Sequence, residues 1–409
     1  MRTTKQHVRF ALLLGAFSAL GPLTVDMYLP SFPQITTAFG TKASLVQLSL
    51  TACLLGLAFG QIIMGALSDV LGRRKPIIAS MLVYLLASFA CALAPNIGFF
   101  IAARFIQGFA AASGIVISRA IVRDLFDGHE LTRFFSLLML VNNAAPLVAP
   151  VMGGGIISFT TWVGVFIALG TIGLVLTVLA TWGLNESLPP ERRTSSNLGQ
   201  MLRNFGSLLA DRQFTGYALA QGLMIGGVFA YVAGTPFIYQ NIYGVSPQMF
   251  SILFGTNGIS LILGSQIVGR YVHVVGERRF LLIGLFLAGF SSLGAFVWSL
   301  FTGPLPGLVI LLFLFVASIG ITGTSSFTLA MESQSHIAGS AAALLGVIPF
   351  ILGSIVSPLV GIAGDSAVPM GLILFLTSFS ALVAYFGLVR RKPTQVGAVV
   401  TPVTKTSGG

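Results

Sequence analysis

The sequence predicts an all-α integral membrane protein, with 12 transmembrane helices in two pseudo-symmetric six-helix bundles. Composition, the lengths of the apolar runs and the positions of the positive charges each support this fold class. Of the 409 residues, 55% are apolar and 8% are charged, whereas a soluble domain carries about 25% charged residues. A soluble protein is excluded, because so few charges cannot cover a water-facing surface.

Apolar runs long enough to span a bilayer recur along the whole chain. A bilayer core of about 30 Å requires about 20 apolar residues in a helix. This length predicts spans at 9–30, 45–67, 76–95, 98–121, 134–159, 162–184, 214–239, 248–271, 280–300, 305–330, 340–363 and 368–389. We therefore expect a first bundle at 1–184, a second bundle at 214–389 and a cytoplasmic tail at 390–409.

The polar stretch 185–213 is the longest between two predicted spans and separates the two bundles as a cytoplasmic central loop. Apolar residues recur within it at helical spacing, and they predict a short amphipathic helix that lies on the membrane surface. These residues are Leu198, Met201, Leu202, Phe205, Leu208 and Leu209.

The net charge of +11 comes from lysines and arginines that mark the ends of the spans. Nineteen of the 22 lie on the side that both termini share, and only Lys42 lies on the opposite side. Because cytoplasmic loops of membrane proteins are enriched in lysine and arginine, we expect both termini in the cytoplasm. The charges form no single patch, so we expect no nucleic-acid partner.

The two halves of the chain repeat weakly. Gly65 and Gly72, at the end of span two, correspond to Gly269 and Gly276, at the end of span eight, at an offset of 204 residues. Two related six-helix halves with a binding site between them are a common plan of transporters.

Three charges inside predicted spans, those of Asp26, Arg104 and Arg119, are candidates for function, because a charged side chain in a bilayer is costly. Asp26 lies about 26 Å along the first helix from Arg9, and Arg104 lies about 9 Å below the outer end of span four. We therefore expect both in one cavity in the outer half of the membrane. Burial there favours the neutral carboxyl form and a nearby guanidinium favours the charged form, so Asp26 could load and release a proton.

Pro22 and Pro30 bracket Asp26. Prolines inside membrane helices free backbone groups and bend the helix, which predicts a bent first helix that lines a cavity. The alternative is an Asp26 that only caps the outer helix end or is permanently ion-paired.

We find no sequence pattern for catalysis or for binding a cofactor or a metal. The four histidines have no metal-ligand spacing, no G-x-x-x-x-G-K-[ST] motif for nucleotides occurs, and both cysteines lie inside apolar runs. We therefore expect neither an enzyme nor a bound cofactor or metal.

The loop after span two resembles the signature loop of the major facilitator superfamily, whose pattern is G-x-L-x-D-x-x-G-R-R/K. The matching residues are Gly65, Asp69, Gly72, Arg73 and Arg74. The resemblance implies a loop that latches the two bundles on the cytoplasmic side. Arg104-Phe105-Ile106-Gln107-Gly108 resembles the span-four motif of the same superfamily, which implies that Arg104 takes part in proton coupling.

Span five contains Ala145–Gly154, which resembles the span-five motif of the drug:proton antiporters in this superfamily. Ala149 stands where that motif has a glycine before the proline. The resemblance implies a pliable, tightly packed helix that seals the carrier against leak, and the residues concerned are Pro146, Pro150, Gly153 and Gly154.

Three further segments resemble the bicyclomycin/chloramphenicol-resistance branch of these exporters, namely Asp26–Pro30, Arg119–Asp124 and Leu188–Arg193. The resemblance implies export of drugs across the bacterial inner membrane, driven by inward proton movement, with Asp26 exchanging protons in competition with the drug. We expect a monomer in the lipid bilayer, whose other partners are drugs and protons.

Arg119, Arg123 and Asp124 are interpreted either as part of a solvated, salt-bridged loop or as part of a cytoplasmic gate.

A drug cavity would suit polar and aromatic side chains near the centre of the fold, although interfacial or helix-packing positions explain at least half of the candidates. The candidates are Tyr28, Asn142, Asn143, Tyr231, Tyr239 and Asn257.

A proton-coupled exporter of a metabolite, such as a sugar or an amino acid, is the alternative function on the same fold. Such a carrier would move one strong physiological substrate and change drug tolerance little. A membrane sensor or a membrane enzyme is a more distant alternative, since the sequence has neither a cytoplasmic signalling domain nor a nucleophile–base pair.

Overall fold

The computed structural model describes residues 4–193, 198–332, 334, 337–362 and 366–389, which are helical with short connections. The helices are α1 (Thr4–Asp26), α2 (Phe32–Ala38), α3 (Ala43–Leu71), α4 (Arg74–Ala92), α5 (Ile97–Leu125), α6 (Gly128–Ile157), α7 (Trp162–Gly183), α8 (Leu198–Ala210), α9 (Arg212–Phe237), α10 (Pro247–Val275), α11 (Glu277–Leu300), α12 (Leu305–Glu332), α13 (Ala338–Val356) and α14 (Val368–Leu388). Short 3-10 turns lie at Leu29–Ser31, Pro190–Arg192 and Ser357–Gly361, and a π-helical turn lies at Ile238–Ile242.

Within the described residues, 12 segments are long and apolar enough to cross a membrane. Each overlaps one predicted span, so the prediction of an all-α membrane protein with 12 spans is confirmed. Helices α1–α7 form the first bundle, and α9–α14 form the second. The helix predicted in the central loop is α8, whose Phe205 and Leu208 are buried in the protein while Leu202 is exposed.

The first span is interrupted near the predicted site. Pro22 lies inside α1 and has no N–H to donate to the carbonyl of Ser18, one turn earlier. The helix ends at Asp26, and the span continues through the turn Leu29–Ser31 and α2. The interruption of the helix therefore lies directly beside Asp26.

Glycines allow the closest helix contact in the first bundle, between α3 and α5. Gly56 and Gly60 of α3 lie against the backbone of Phe109, and Gly108 of α5 lies against the carbonyl of Cys53. A side chain at any of these glycines would overlap backbone of the facing helix, so small residues are required here.

The second bundle repeats this contact. Gly264 of α10 lies against the backbone of Ala317, and Gly320 of α12 lies against the carbonyl of Leu261. Gly264 follows Gly60 by 204 residues, which is also the offset between Gly72 and Gly276. Both of these latter glycines end their helices with a φ of 87°, a conformation that glycine adopts readily. The pseudo-symmetry therefore extends to equivalent packing and turn positions.

Three glutamine side chains join the two bundles at the end of the molecule distant from α8. Gln47 Nε2 donates to the carbonyl of Ala233 at 3.1 Å, and Gln240 Nε2 donates to the carbonyl of Pro30 at 3.1 Å. Gln248 Nε2 reaches the carbonyl of Gly154 at 3.5 Å. We call Gln47, Gln240 and Gln248 the glutamine clasp. At the α8 end, the ion pairs among described residues all lie within the first bundle and its connection to α8.

Replacing Gln47 with alanine should favour conformers that are open at the clasp. One lost hydrogen bond costs about 0.5–1.5 kcal/mol, which shifts the ratio of open to closed conformers about 2- to 12-fold. Spin labels on cysteines introduced at Lys42 and Met249 would report this as a larger fraction of long distances. Gln266→Ala, at an exposed position of α10, is the matched control, and an unchanged distance distribution in Gln47→Ala would contradict the prediction.

Candidate functional site

Arg104 is completely buried in the first bundle. Its Nη2 donates to the carbonyl of Thr24 at 2.9 Å, and its Nη1 donates to Gln107 Oε1. The Thr24 carbonyl lies in the last turn of α1, where carbonyls have no partner within the helix. The Arg104 guanidinium also lies 4.1 Å from the centre of the Tyr28 ring, a cation–π contact. Oxygen dipoles and an aromatic ring therefore hold this cation.

A hydrogen-bonded layer behind Arg104 fixes its position. Gln107 Nε2 donates to Ser88 Oγ at 2.8 Å, and the hydroxyls of Thr24 and Tyr84 are 2.8 Å apart. These bonds connect α1, α4 and α5. Arg104 could be identified from the sequence, whereas Thr24 and Ser88 could not, since neither is distinctive as a residue type inside an apolar span.

Asp26 is 5% exposed and is the last residue of α1. No described residue forms a hydrogen bond or an ion pair with its carboxylate. Asp26 and Arg104 form no ion pair in this conformer, because Arg104 is bonded to Thr24 and Gln107 instead. Both burial and the partial negative charge at a helix C-terminus act against a charge on this carboxylate.

A polar cluster of the second bundle lies near Asp26, and its Tyr231 interacts electrostatically with that residue. Asn257 Nδ2 donates to the Tyr231 hydroxyl at 2.9 Å, and Tyr239 lies beside the same asparagine. We call Tyr231, Tyr239 and Asn257 the tyrosine cluster. The Tyr239 hydroxyl and Asn257 Oδ1 have no hydrogen-bond partner among the described residues. The cluster can therefore accept further polar contacts.

The other cavity candidates lie elsewhere. Tyr28 is fully buried beneath Arg104, and its hydroxyl lies 3.2 Å from Ser49 Oγ, so it supports the arginine rather than facing open space. Asn142 Nδ2 donates to Ser18 Oγ at 2.6 Å. The side chain of Asn143 lies outside the described residues. The six candidates therefore do not form one surface.

Arg73 is the centre of an ion-pair network at the α8 end of the first bundle. Its Nη1 lies 2.5 Å from Asp69 Oδ1, and its Nε lies 2.8 Å from Asp124 Oδ2. Glu186, which no motif indicated, accepts hydrogen bonds from the backbone N–H groups of Arg73 and Arg74. Burial alone would raise the pKa of Glu186, but these N–H groups outweigh it and hold that pKa below its usual range. In this conformer the described contacts of the network stay within the first bundle, so they do not latch the two bundles together.

Arg119, Arg123 and Asp124 lie in a helix and not in the expected loop, although Asp124 is salt-bridged as expected. These residues form the last turns of α5, which continues to Leu125. Asp124 pairs with Arg73, and among the described residues neither Arg119 nor Arg123 forms an ion pair.

The span-five motif lies at a junction of three helices. Gly153 of α6 lies against the carbonyl of Met27, next to Asp26, and Gly154 lies against Ser251 in α10. Pro146 and Pro150 lie inside α6. Gly65, of the signature loop, lies against Val116 of α5. The motif glycines therefore bring α6 close to both α1 and the second bundle.

Comparison with known proteins agrees with this architecture. Residues 12–358 match the family described as Major Facilitator Superfamily. The chain is 52% identical over 395 residues to the "Uncharacterized MFS-type transporter YdgK" of Bacillus subtilis, covering 96% of this chain and 98% of that protein. It is 32% identical over 392 residues to the "Bicyclomycin resistance protein homolog" of Haemophilus influenzae, covering 96% and 98%.

A solved structure with the same fold is the partially occluded inward-open xylose transporter XylE from E. coli, with a TM-score of 0.74 and 13% sequence identity. The match covers 95% of this chain and 98% of that one. Twelve apolar helices in two related bundles, together with these matches, establish the family. The chain belongs to the major facilitator superfamily and is a multi-pass membrane transporter of small molecules.

Proposed function

We propose that this transporter exports drugs across the bacterial inner membrane in exchange for protons. The observation that carries the proposal is Asp26, a carboxyl group buried between the bundles that no described residue neutralises. A proton can neutralise such a group, and an intramembrane acid is a functional candidate by default. The bicyclomycin-resistance name of the Haemophilus influenzae relative supports a drug as the second substrate.

Alternating access would couple the two movements, by rocking of the bundles around the site. With both termini in the cytoplasm, as the charge distribution predicts, the glutamine clasp closes the outer side. The drug then enters from the cytoplasm. Protonation of Asp26 from outside would displace the drug and favour return to the inward-facing conformer. Deprotonation toward the cytoplasm would make the site available for the next drug molecule.

The two charged residues have different parts in this mechanism. Arg104 keeps its charge at every physiological pH, and its position is fixed by Thr24 and Gln107. Asp26 is free to change its protonation state without breaking an ion pair. The Tyr239 hydroxyl and Asn257 Oδ1 lie in the second bundle and provide polar contacts for a drug. The transporter would work as a monomer, because one chain supplies all these groups.

Proton movement in inside-out vesicles tests the proposal. A proton gradient is imposed and followed with a pH-sensitive dye, and chloramphenicol, bicyclomycin and other neutral drugs are added in turn. Drug-triggered proton efflux, present only in vesicles that contain the protein, is the expected result. A response to a sugar or an amino acid without a response to any drug would instead show a metabolite exporter.

A further inference from the structure

Arg119 lies on the face of α5 that packs against α1 and α3. It follows Ile115 by four residues and Gly108 by 11, so the three share one helix face. Gly108 lies against α3 at Cys53, and Ile115 lies against α1 at Gly21. Ile106, an exposed residue of α5, lies on another side of the helix. Arg119 therefore lies between α1 and α3.

This face lies close to the interface between the bundles. Three residues before Arg119, Val116 lies against Gly65 of α3. One turn earlier on α3, Gln61 lies against Gly346 of the second bundle. The glutamine clasp joins the bundles at the opposite end, so access to this depth would come from the α8 end. Arg119 is partly exposed, which is consistent with access from that side.

Arg119 has no anionic partner among the described residues. Its Nε is fully buried without a hydrogen bond, and burial strips water from the guanidinium. Asp69 and Asp124 are the acidic residues closest to Arg119 in membrane depth, and both are bonded to Arg73. Arg104 lies 15 residues earlier, about 22 Å along the helix, so the site near Asp26 is far away.

An unpaired cation inside a membrane protein is costly, and an arriving anion can offset the cost. The guanidinium is a planar fork whose N–H groups match both oxygens of a carboxylate. We propose that Arg119 binds a carboxylate of the transported molecule, so that the substrates of this carrier include organic acids and zwitterions. The inference rests on the proposed function as an exporter and defines its substrate class.

Binding of two related compounds to the purified full chain tests this inference. Chloramphenicol is neutral, and its succinate ester adds one carboxylate to the same molecule. We expect the wild type to bind the ester more tightly than the parent. Arg119→Gln should weaken binding of the ester about 10- to 100-fold, the loss expected for a hydrogen-bonded charge, and should leave binding of chloramphenicol unchanged.

Two further variants separate binding from folding and gating. Arg119→Lys keeps the positive charge and should restore part of the preference for the ester. Arg270→Gln removes a charge from an exposed position of α10 and should change neither affinity. Failure of the wild type to prefer the ester would overturn the inference. Equal weakening of both compounds by Arg119→Gln would also overturn it, and would indicate the cytoplasmic gate.

Together with the vesicle assay, the binding experiment distinguishes failure of this inference from failure of the proposed function. Arg119-dependent binding of the ester without any drug-triggered proton movement would contradict proton-coupled export and retain the carboxylate site. Proton movement triggered by neutral drugs, with no preference for the ester, would retain the exporter and reject the site.

Discussion

Asp26→Asn is expected to abolish drug-triggered proton movement while the protein still folds. The amide has nearly the shape of the carboxyl group but cannot release a proton at physiological pH. No ion pair to Asp26 exists among the described residues, so the substitution breaks none there and removes a buried acid. Vesicles that contain the variant should show no dye response to any drug that triggers one in the wild type.

Asp127→Asn is the matched control, because it makes the same chemical change at an exposed position before α6. It should retain coupled export. An elution profile in detergent equal to that of the wild type would show that Asp26→Asn is folded. Full proton-coupled activity in the folded Asp26→Asn variant would refute the mechanism.

Gly108→Ala should destabilise the first bundle by about 1–3 kcal/mol, the usual cost of overpacking a tight contact. The added methyl group would overlap the carbonyl of Cys53 in α3, and backbone cannot move aside as a flexible side chain can. Gly108 follows Arg104 by one turn, so separation of α3 and α5 would also disturb the hydrogen bonds of that arginine. We expect a lower unfolding temperature in detergent and reduced transport.

Gly269→Ala serves as its control, since a methyl group at Gly269 of α10 would meet open space. Alanine is favoured over glycine in a helix by about 0.5–1 kcal/mol, so this variant should be as stable as the wild type or more stable. Equal unfolding temperatures for Gly108→Ala and Gly269→Ala would show that the α3–α5 contact is less tight than described.

The spans could be predicted because bilayer thickness fixes how many apolar residues a helix needs. The extension of the first span to Ala38 could not, because Gln34, Thr36 and Thr37 interrupt the apolar run. The solvated loop was predicted at Arg119–Asp124 for a similar reason, since charges normally mark a helix end. Here α5 continues to Leu125, and the carboxylate of Asp124 is bonded to Arg73, which lies between α3 and α4.

Asp26 and Arg104 could be identified from the sequence because a charge inside a span is rare. That they are not paired could not be predicted, since the partners of Arg104 are uncharged and include a backbone carbonyl, that of Thr24. Glu186 was missed because it accepts from backbone N–H groups, which leave no pattern in the sequence. Contacts between side chain and backbone therefore account for much of what sequence reasoning missed.

The same kind of contact has a consequence for mutational tolerance at the glutamine clasp. Each glutamine donates to a main-chain carbonyl in the other bundle, and every residue type has such a carbonyl. The positions that accept, such as Ala233, can therefore change identity without loss of the bond, provided that the backbone keeps its path. The donors cannot change as freely. In a library of substitutions at the glutamine clasp, the donor and acceptor positions should therefore differ in tolerance. Few replacements should be accepted at Gln47, whereas many side chains that are small enough to fit should be accepted at Ala233.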